Sequence, residues 1–178
     1  MAVLGVDDFK SKLRGGGARP NLFKATINFP AFAGGDPELT SFLCESTSLP
    51  GSTFGLIVIP FRGRQLKIAG DRTFADWSVT IINDTDFDVR NAMERWMNGI
   101  NAHSQNTGLS QPGSYESDLK VEQLDRDGQV LKGYVLRGAF PTELSPIDVS
   151  YGASDEIERF TVSFAYQYHD AVNANTTS

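Results

Sequence analysis

Residues 70 to 73, Gly-Asp-Arg-Thr, set a carboxylate beside a guanidinium inside "KIAGDRTFADWSVTIIND", between two runs of strand-forming residues. Read as a turn, such a pair can hold a carboxylate or phosphate, but it more often locks neighbouring strands or subunits together. Other residues fit for chemistry are sparse. His103 and His169 are the only histidines, and neither has a second His or a Cys at metal-ligand spacing, so both read as exposed and without a functional role. The lone cysteine, Cys44, has no partner for an internal disulfide and reads as a small buried apolar residue. "DTDFDVRNAMER" from Asp84 begins with carboxylates at alternate positions, as a calcium loop does. Val89, however, stands where that loop needs Gly, and Arg95 where it needs a bidentate Glu. These acids fit the start of a helix instead. "GGGARP" lacks the Gly-Lys-Ser/Thr ending of a phosphate loop and precedes a strand rather than following one. No catalytic centre, cofactor or metal site is expected.

The elements that would position these residues are mostly strands. Val6, Phe9 and Leu13 lie at helical spacing, and "GGGARP" then ends the helix, giving residues 1–20 the character of a mobile arm. From Leu22 to Phe29 the period is two, with Phe23, Ala25, Ile27 and Phe29 on one face. After the turn "PAFAGGDPE" a second strand is expected from about Thr40 to Thr47. "FGLIVIPF" and "RQLKIAG" then form a long hairpin about Arg62-Gly63, in which Pro60 confines its strand to an edge or a protrusion. Trp77, Val79 and Ile81 alternate with Ser78 and Thr80. Val89, Met93, Trp96 and Ile100 then mark one face of a four-turn helix, with Thr85 or Asp86 as cap and Gly99 loosening its last turn.

Beyond a polar loop, a strand from Leu119 turns at "DRDG" and returns through Val130 to Leu136. "FPTELSP" is expected to turn, and the last strand, Glu158 to Tyr168, alternates Phe160, Val162, Phe164, Tyr166 and Tyr168 with Thr161, Ser163, Ala165 and Gln167. About eight strands and one substantial helix make an all-β antiparallel sandwich or barrel with a flanking helix. A single domain over 21–170 and a disordered tail at 171–178 complete the expected organisation.

With 16 basic against 22 acidic residues the formal charge is −6, and no basic run offers a DNA-reading surface. The longest apolar run, Leu56 to Phe61, is far short of the roughly 20 residues that span a bilayer. The first residues, "MAVLGVDDFKSK", lack a signal-peptide stretch, so synthesis in a cytoplasm and no stable membrane association are expected.

"ARPNLFKATINF" (18–29), "STSLPG" (46–51), "RQLKIAGDRTFADWSVTIIND" (64–84), "FPTELSPIDVSY" (140–151) and "DEIERFTVSFAYQYH" (155–169) resemble, in order, the tail tube protein of contractile-tailed bacteriophages of the T-even type. "PAFAGGDPE" is longer than the family pattern, and the polar C-terminal tail is extra. The resemblance implies a non-enzymatic virion protein, assembled in the host cytoplasm, whose hexameric rings stack into the inner tail tube. Its implied partners are further copies, a tail sheath protein, baseplate and tail terminator proteins, and double-stranded DNA that passes down the lumen without sequence-specific binding. The alternative is the tube of a type VI secretion system or phage-derived bacteriocin, which carries no genome. From another class, a ligand-binding β-sandwich enzyme would be monomeric, with convergent polar groups in a pocket.

Within this resemblance the arm and hairpin are the parts expected to reach a neighbouring ring or subunit. Their candidate contacts are Val6, Phe9, Leu13, Arg19, Ile59, Pro60, Phe61, Arg62, Arg64, Asp71 and Arg72, with Arg72 paired to an acid. Candidate lumen acids are Asp118, Glu122, Asp125, Asp127 and Glu158, and Thr161, Ser163 and Gln167 form a hydroxyl-rich face that would suit a smooth channel. Six copies at −6 give a formal −36 per ring, which would repel DNA from the walls.

Overall fold

Alternating apolar residues carry most of the burial, and a sheet results. The computed structural model describes residues 5–13, 15 and 17–172. Its elements are α1 (Val6–Lys12), β1 (Phe23–Ile27), α2 (Pro37–Leu43), β2 (Cys44–Thr47), β3 (Ser52–Phe61), β4 (Arg64–Phe74), β5 (Trp77–Ile82), α3 (Asp88–Ile100), α4 (Pro112–Tyr115), β6 (Ser117–Leu124), β7 (Val130–Leu144), β8 (Arg159–Ala165) and β9 (Tyr168–Val172). Seven strands form one antiparallel sheet in the order β1-β6-β7-β8-β5-β2, with β9 also paired to β7, while β3 and β4 pair only with each other.

The long β7 passes from one half of the sheet to the other. Its first part pairs with β6 and β9 over residues 130–139, and its last part, Phe140–Leu144, pairs with β8. The bend between them falls at Gly138, which has φ 61°. An added Cβ there would come within 3.0 Å of both Gln167 and Glu116, and the Gly138 N–H donates to Asp118 Oδ1 at 3.2 Å.

The core lies between the two halves of the sheet and α3. Ala25, Ile27, Leu119, Val121 and Leu136 from one half meet Trp77, Val79, Ile81, Phe160, Val162 and Phe164 from the other, with Val89, Met93 and Trp96 from the helix. Each large apolar side chain so buried contributes about 1.5–3 kcal/mol. Both indoles are satisfied: Trp77 donates to the Ser48 carbonyl at 2.8 Å and Trp96 to that of Tyr115 at 2.7 Å.

Several local expectations are corrected. Thr40–Leu43, expected as strand, is helix, because Asp36 caps it by accepting from Glu38 N at 2.8 Å and Pro37 supplies the first turn. Strand begins only at Cys44. The cap of α3 is neither Thr85 nor Asp86: Phe87 occupies it with φ 56°, and Asp84 accepts from the Asp88 N–H at 3.2 Å. Gly99 does not loosen that helix but makes room for Phe32, whose ring would lie 2.3 Å from an added Cβ. "FPTELSP" holds no turn before Leu144, since the change of direction has already been made at Gly138. The last strand is broken at 166–167, which puts Tyr168 in β9 and off the Phe160–Tyr166 face, and β9 includes Ala171 and Val172, assigned above to the tail. Residues 173–178 lie outside the described residues.

Gly138→Ala is expected to destabilise the monomer by about 1–2 kcal/mol, the cost of a left-handed conformation for a residue with a Cβ. A shift in the midpoint of urea unfolding measures it.

Candidate assembly surfaces

β3 and β4 form a hairpin closed by Arg62 and Gly63, whose positive φ values of 46° and 78° suit a two-residue turn between twisted strands. Neither strand makes extensive contact with any other element. Strict pairing puts Ile57, Ile59 and Phe61 opposite Ile68, Leu66 and Arg64, so these six side chains share one face. Pro60, Val58 and Leu56 share the other with Gln65, Lys67 and Ala69. All of the apolar residues on the first face are exposed, Phe61 by 66% and Leu66 by 57%. A free hairpin of this kind gains little stability from its own pairing. Its composition therefore calls for a partner surface.

Gly70-Asp71-Arg72-Thr73 is not a turn between strands but part of β4, at a register shift between Leu56↔Ala69 and Phe54↔Arg72. Gly70 and Asp71 there stand opposite the single Gly55 as a β-bulge. A Cβ on Gly70 would sit 3.1 Å from the Gly55 carbonyl oxygen, so a side chain there would push the two backbones apart by a few tenths of an ångström. Arg72 makes no ion pair within the chain, among the described residues; its guanidinium lies over the Phe54 ring at 4.6 Å.

The outward face of β7–β8–β5–β2 is small and hydroxylated. Ser78 and Ser163 hydrogen-bond at 3.0 Å, Thr80 and Thr161 at 3.2 Å, and Thr142 donates to the Ser163 carbonyl at 3.1 Å. Ser46 lies beside Thr80, and Glu143 beside Ser163. At one end Arg159 pairs with Glu45 at 2.6 Å. Gln167, expected on this face, instead sits in the break after β8, donating its N–H to the Arg137 carbonyl and its amide to Glu116. Ser46, Thr142 and Glu143 were missed because their segments read as ordinary strand and turn. Among the described residues the two borders of this face are open: β2 pairs only with β5, and β7 beyond Ala139 pairs only with β8.

The remaining expected residues are scattered. Val6, Phe9 and Leu13 lie exposed along α1 and at its end. Arg19 contributes its carbonyl to the Leu22 N–H at 3.2 Å. Ile59, Pro60, Phe61, Arg62 and Arg64 sit together at the hairpin tip. Asp118 is ion-paired to Arg137, which also reaches Asp170 at 3.2 Å, and the largely buried Glu122 is paired to Lys120 at 2.7 Å. Asp125 and Asp127 are exposed in the β6–β7 turn, and Glu158 accepts from Asn83 at 2.9 Å.

His169 is not exposed as expected. The break after β8 turns it inward against the Phe74 and Tyr134 rings, at 5.2 and 5.5 Å, next to the base of the hairpin. Burial first, and Arg72 second, hold its imidazole below the ordinary value. Cys44 is half-buried against the core, and burial pushes its thiol up to about 11, so the sulfur stays protonated and inert.

The chain is similar to known proteins over most of its length. The family described as phage tail tube protein matches residues 18–172. The chain belongs to that family. It is 33% identical over 165 residues to the tail tube protein of Serratia phage KSP90, covering 90% of this chain and 93% of that one. To tail tube protein gp19 of Enterobacteria phage T4 it is 31% identical, covering 92% and 98%. Among solved structures, a chain in the anti-feeding prophage baseplate superposes with a TM-score of 0.67 at 12% identity, covering 88% of this chain and 95% of the other. One in the sheath-tube complex of an extracellular contractile injection system gives 0.61 at 15%, covering 91% and 96%. These two share the fold. Tail tube proteins are structural components of the virion rather than enzymes.

Two outcomes are expected. Gly70→Val should raise amide exchange across residues 52–74 while leaving the melting midpoint of the body nearly unchanged, because the hairpin lies outside the core. The second concerns His169, whose pKa is lower in the fold than the roughly 6.5 of the unfolded chain, so that unfolding takes up a proton. Its contribution to stability is fully present above the unfolded value and is lost as pH falls from there through the lower, folded pKa. The urea midpoint should therefore decline from pH 7.5 to 5.5, and less steeply in His169→Phe.

Proposed function

We propose that the chain forms hexameric rings that stack into the inner tube of a contractile phage tail, through which double-stranded DNA leaves the capsid. The observation that carries this reading is the apolar, two-stranded hairpin, which among the described residues is tied to its own chain at its base by Phe74 and leaves the face of Ile57, Ile59, Phe61, Leu66 and Ile68 exposed. Such a surface fits burial in a neighbouring ring, in company with the exposed arm. The open borders of the hydroxylated sheet support ring closure. Since β7, β8, β5 and β2 alternate in direction, the β2 edge of one copy meets the β7 edge of the next antiparallel, continuing one sheet around a circle. Head-to-tail stacking that does not close on itself then extends rings into a tube.

On this reading the hydroxylated face lines the lumen. In each of its hydroxyl pairs one O–H donates to the other, and Thr142 donates to the backbone, so only part of the wall's donors are left for a passing phosphate. Arg159 is neutralised by Glu45, whereas Glu143 has no ion-pair partner among the described residues. The wall is thus smooth and weakly acidic, and DNA slides past it without sticking. Glu143 joins Asp125, Asp127 and Glu158 as a lumen candidate. Asp118 and Glu122, each with a basic partner, contribute little net field. A sheath protein outside the tube, with a baseplate and a terminator at its ends, are the remaining partners. The identity of about a third to phage relatives favours a genome-carrying tube over a secretion tube.

Negative-stain microscopy of the purified protein tests assembly, with rings or tubes expected and a persistent monomer, even with baseplate present, counting against it. In virions carrying Glu143→Lys, DNA release should slow, and added salt should restore it; an unchanged release rate would remove Glu143 from the lumen.

A further inference from the structure

Among the described residues, two apolar surfaces of this chain, helix α1 and one face of the hairpin, lack a partner, and their dimensions and charges are complementary. Helix α1 has no buried residue, and Val6, Phe9 and Leu13 are exposed by 72%, 66% and 43%. Along the helix axis these three span about 10 Å at 1.5 Å per residue. The hairpin face of Ile57, Ile59, Phe61, Leu66 and Ile68 extends about 13 Å at 3.3 Å per residue. The ends agree in sign as well. Asp7 and Asp8 occupy the first turn of α1, and Lys10 and Lys12 its last. The hairpin carries Arg62 and Arg64 at its tip and Asp71 near its base.

From this match we infer that α1 of one copy lies along the Ile57–Phe61 face of the hairpin of another copy, with its N-terminal end toward Arg62 and Arg64. Asp7 meets those guanidiniums, since the Asp8 carboxylate is already engaged by the Gly5 N–H at 3.1 Å. Lys10 and Lys12 point toward Asp71. The chain between Leu13 and Arg19, whose carbonyl is held by the Leu22 N–H and the Gln123 amide, reaches up to about 3.3–3.6 Å per residue, which lets the helix extend from its own body toward another copy. The hairpin's second face, with Val58, Pro60 and Lys67, remains for the body of the neighbouring ring. The arm then acts as a strap that covers apolar surface the ring contact leaves open, and assembly and arm ordering become one event.

This inference rests on the stacking reading, and the test separates the two. With Cys44→Ser as background, one preparation carries Phe9→Cys and a second Ile59→Cys, so any disulfide formed in mixed tubes joins different chains. Covalent dimers should appear in the tube fraction far above a control pairing Phe9→Cys with Thr161→Cys. Tubes that form but cross-link only at the control level would overturn the inference and leave stacking intact. Exchange measurements on the unmodified protein give an independent readout: amides of 6–12 and 57–68 should become protected together on assembly, and an arm that stays unprotected within tubes refutes the strap. Asp7→Arg should slow tube growth and Arg64→Asp in the same chain should restore it; failure of that rescue counts against the stated orientation. If the unmodified protein makes no tubes at all, stacking and strap fall together.

Discussion

A single copy of this chain cannot satisfy the surfaces it makes. The core is closed by Trp77, Trp96, Phe160 and Phe164, yet a face of Ile57, Ile59, Phe61, Leu66 and Ile68 is held out in solvent, and the borders at β2 and at the end of β7 keep unpaired edges. Apolar burial and backbone pairing favour the same resolution, association with further copies, and neither demands a chemical step. The rest of the architecture follows from keeping those surfaces available without unfolding the body that carries them.

That separation is built at two glycines. Gly138 lets β7 bend between the halves of the sheet, so that one strand serves both the core and an open border. Gly70 lets β4 approach Gly55 closely and form the bulge that sets Arg72 against Phe54. Below the bulge, Phe74 packs on Tyr166 and His169, which ties the hairpin base to the body by aromatic contact and places an imidazole sensitive to burial at the junction.

The charges obey the same economy of contact. Arg137 bridges Asp118 and Asp170, drawing β6, β7 and β9 together, and Arg159 is matched by Glu45. These exposed pairs add little stability each, but the Arg159–Glu45 pair removes a free cation from the surface proposed to face DNA. The hydroxyl pairs across β5 and β8 engage one of the two O–H donors in each pair, which lowers the number left to seek phosphates.

The sequence by itself determined the period-two strands β1, β5 and β8, the buried stripe of α3 and the exposed hairpin, because alternation, helical spacing and turn residues are local signals. It also carried the family, through ordered blocks spanning most of the chain. What it left undecided were one place where two local signals compete and several features set by contacts between distant segments. Strand preference at Thr40–Leu43 lost to a cap from Asp36. The turn expected at "FPTELSP" gave way to pairing with β8 that draws Phe140–Leu144 into line. The Gly-Asp-Arg-Thr motif became a bulge only because Gly55 lies opposite it. The hydroxylated wall combines residues from four strands spread between Glu45 and Ser163, and only the tertiary structure brings them side by side, since strand order is fixed by long-range pairing that no local pattern encodes.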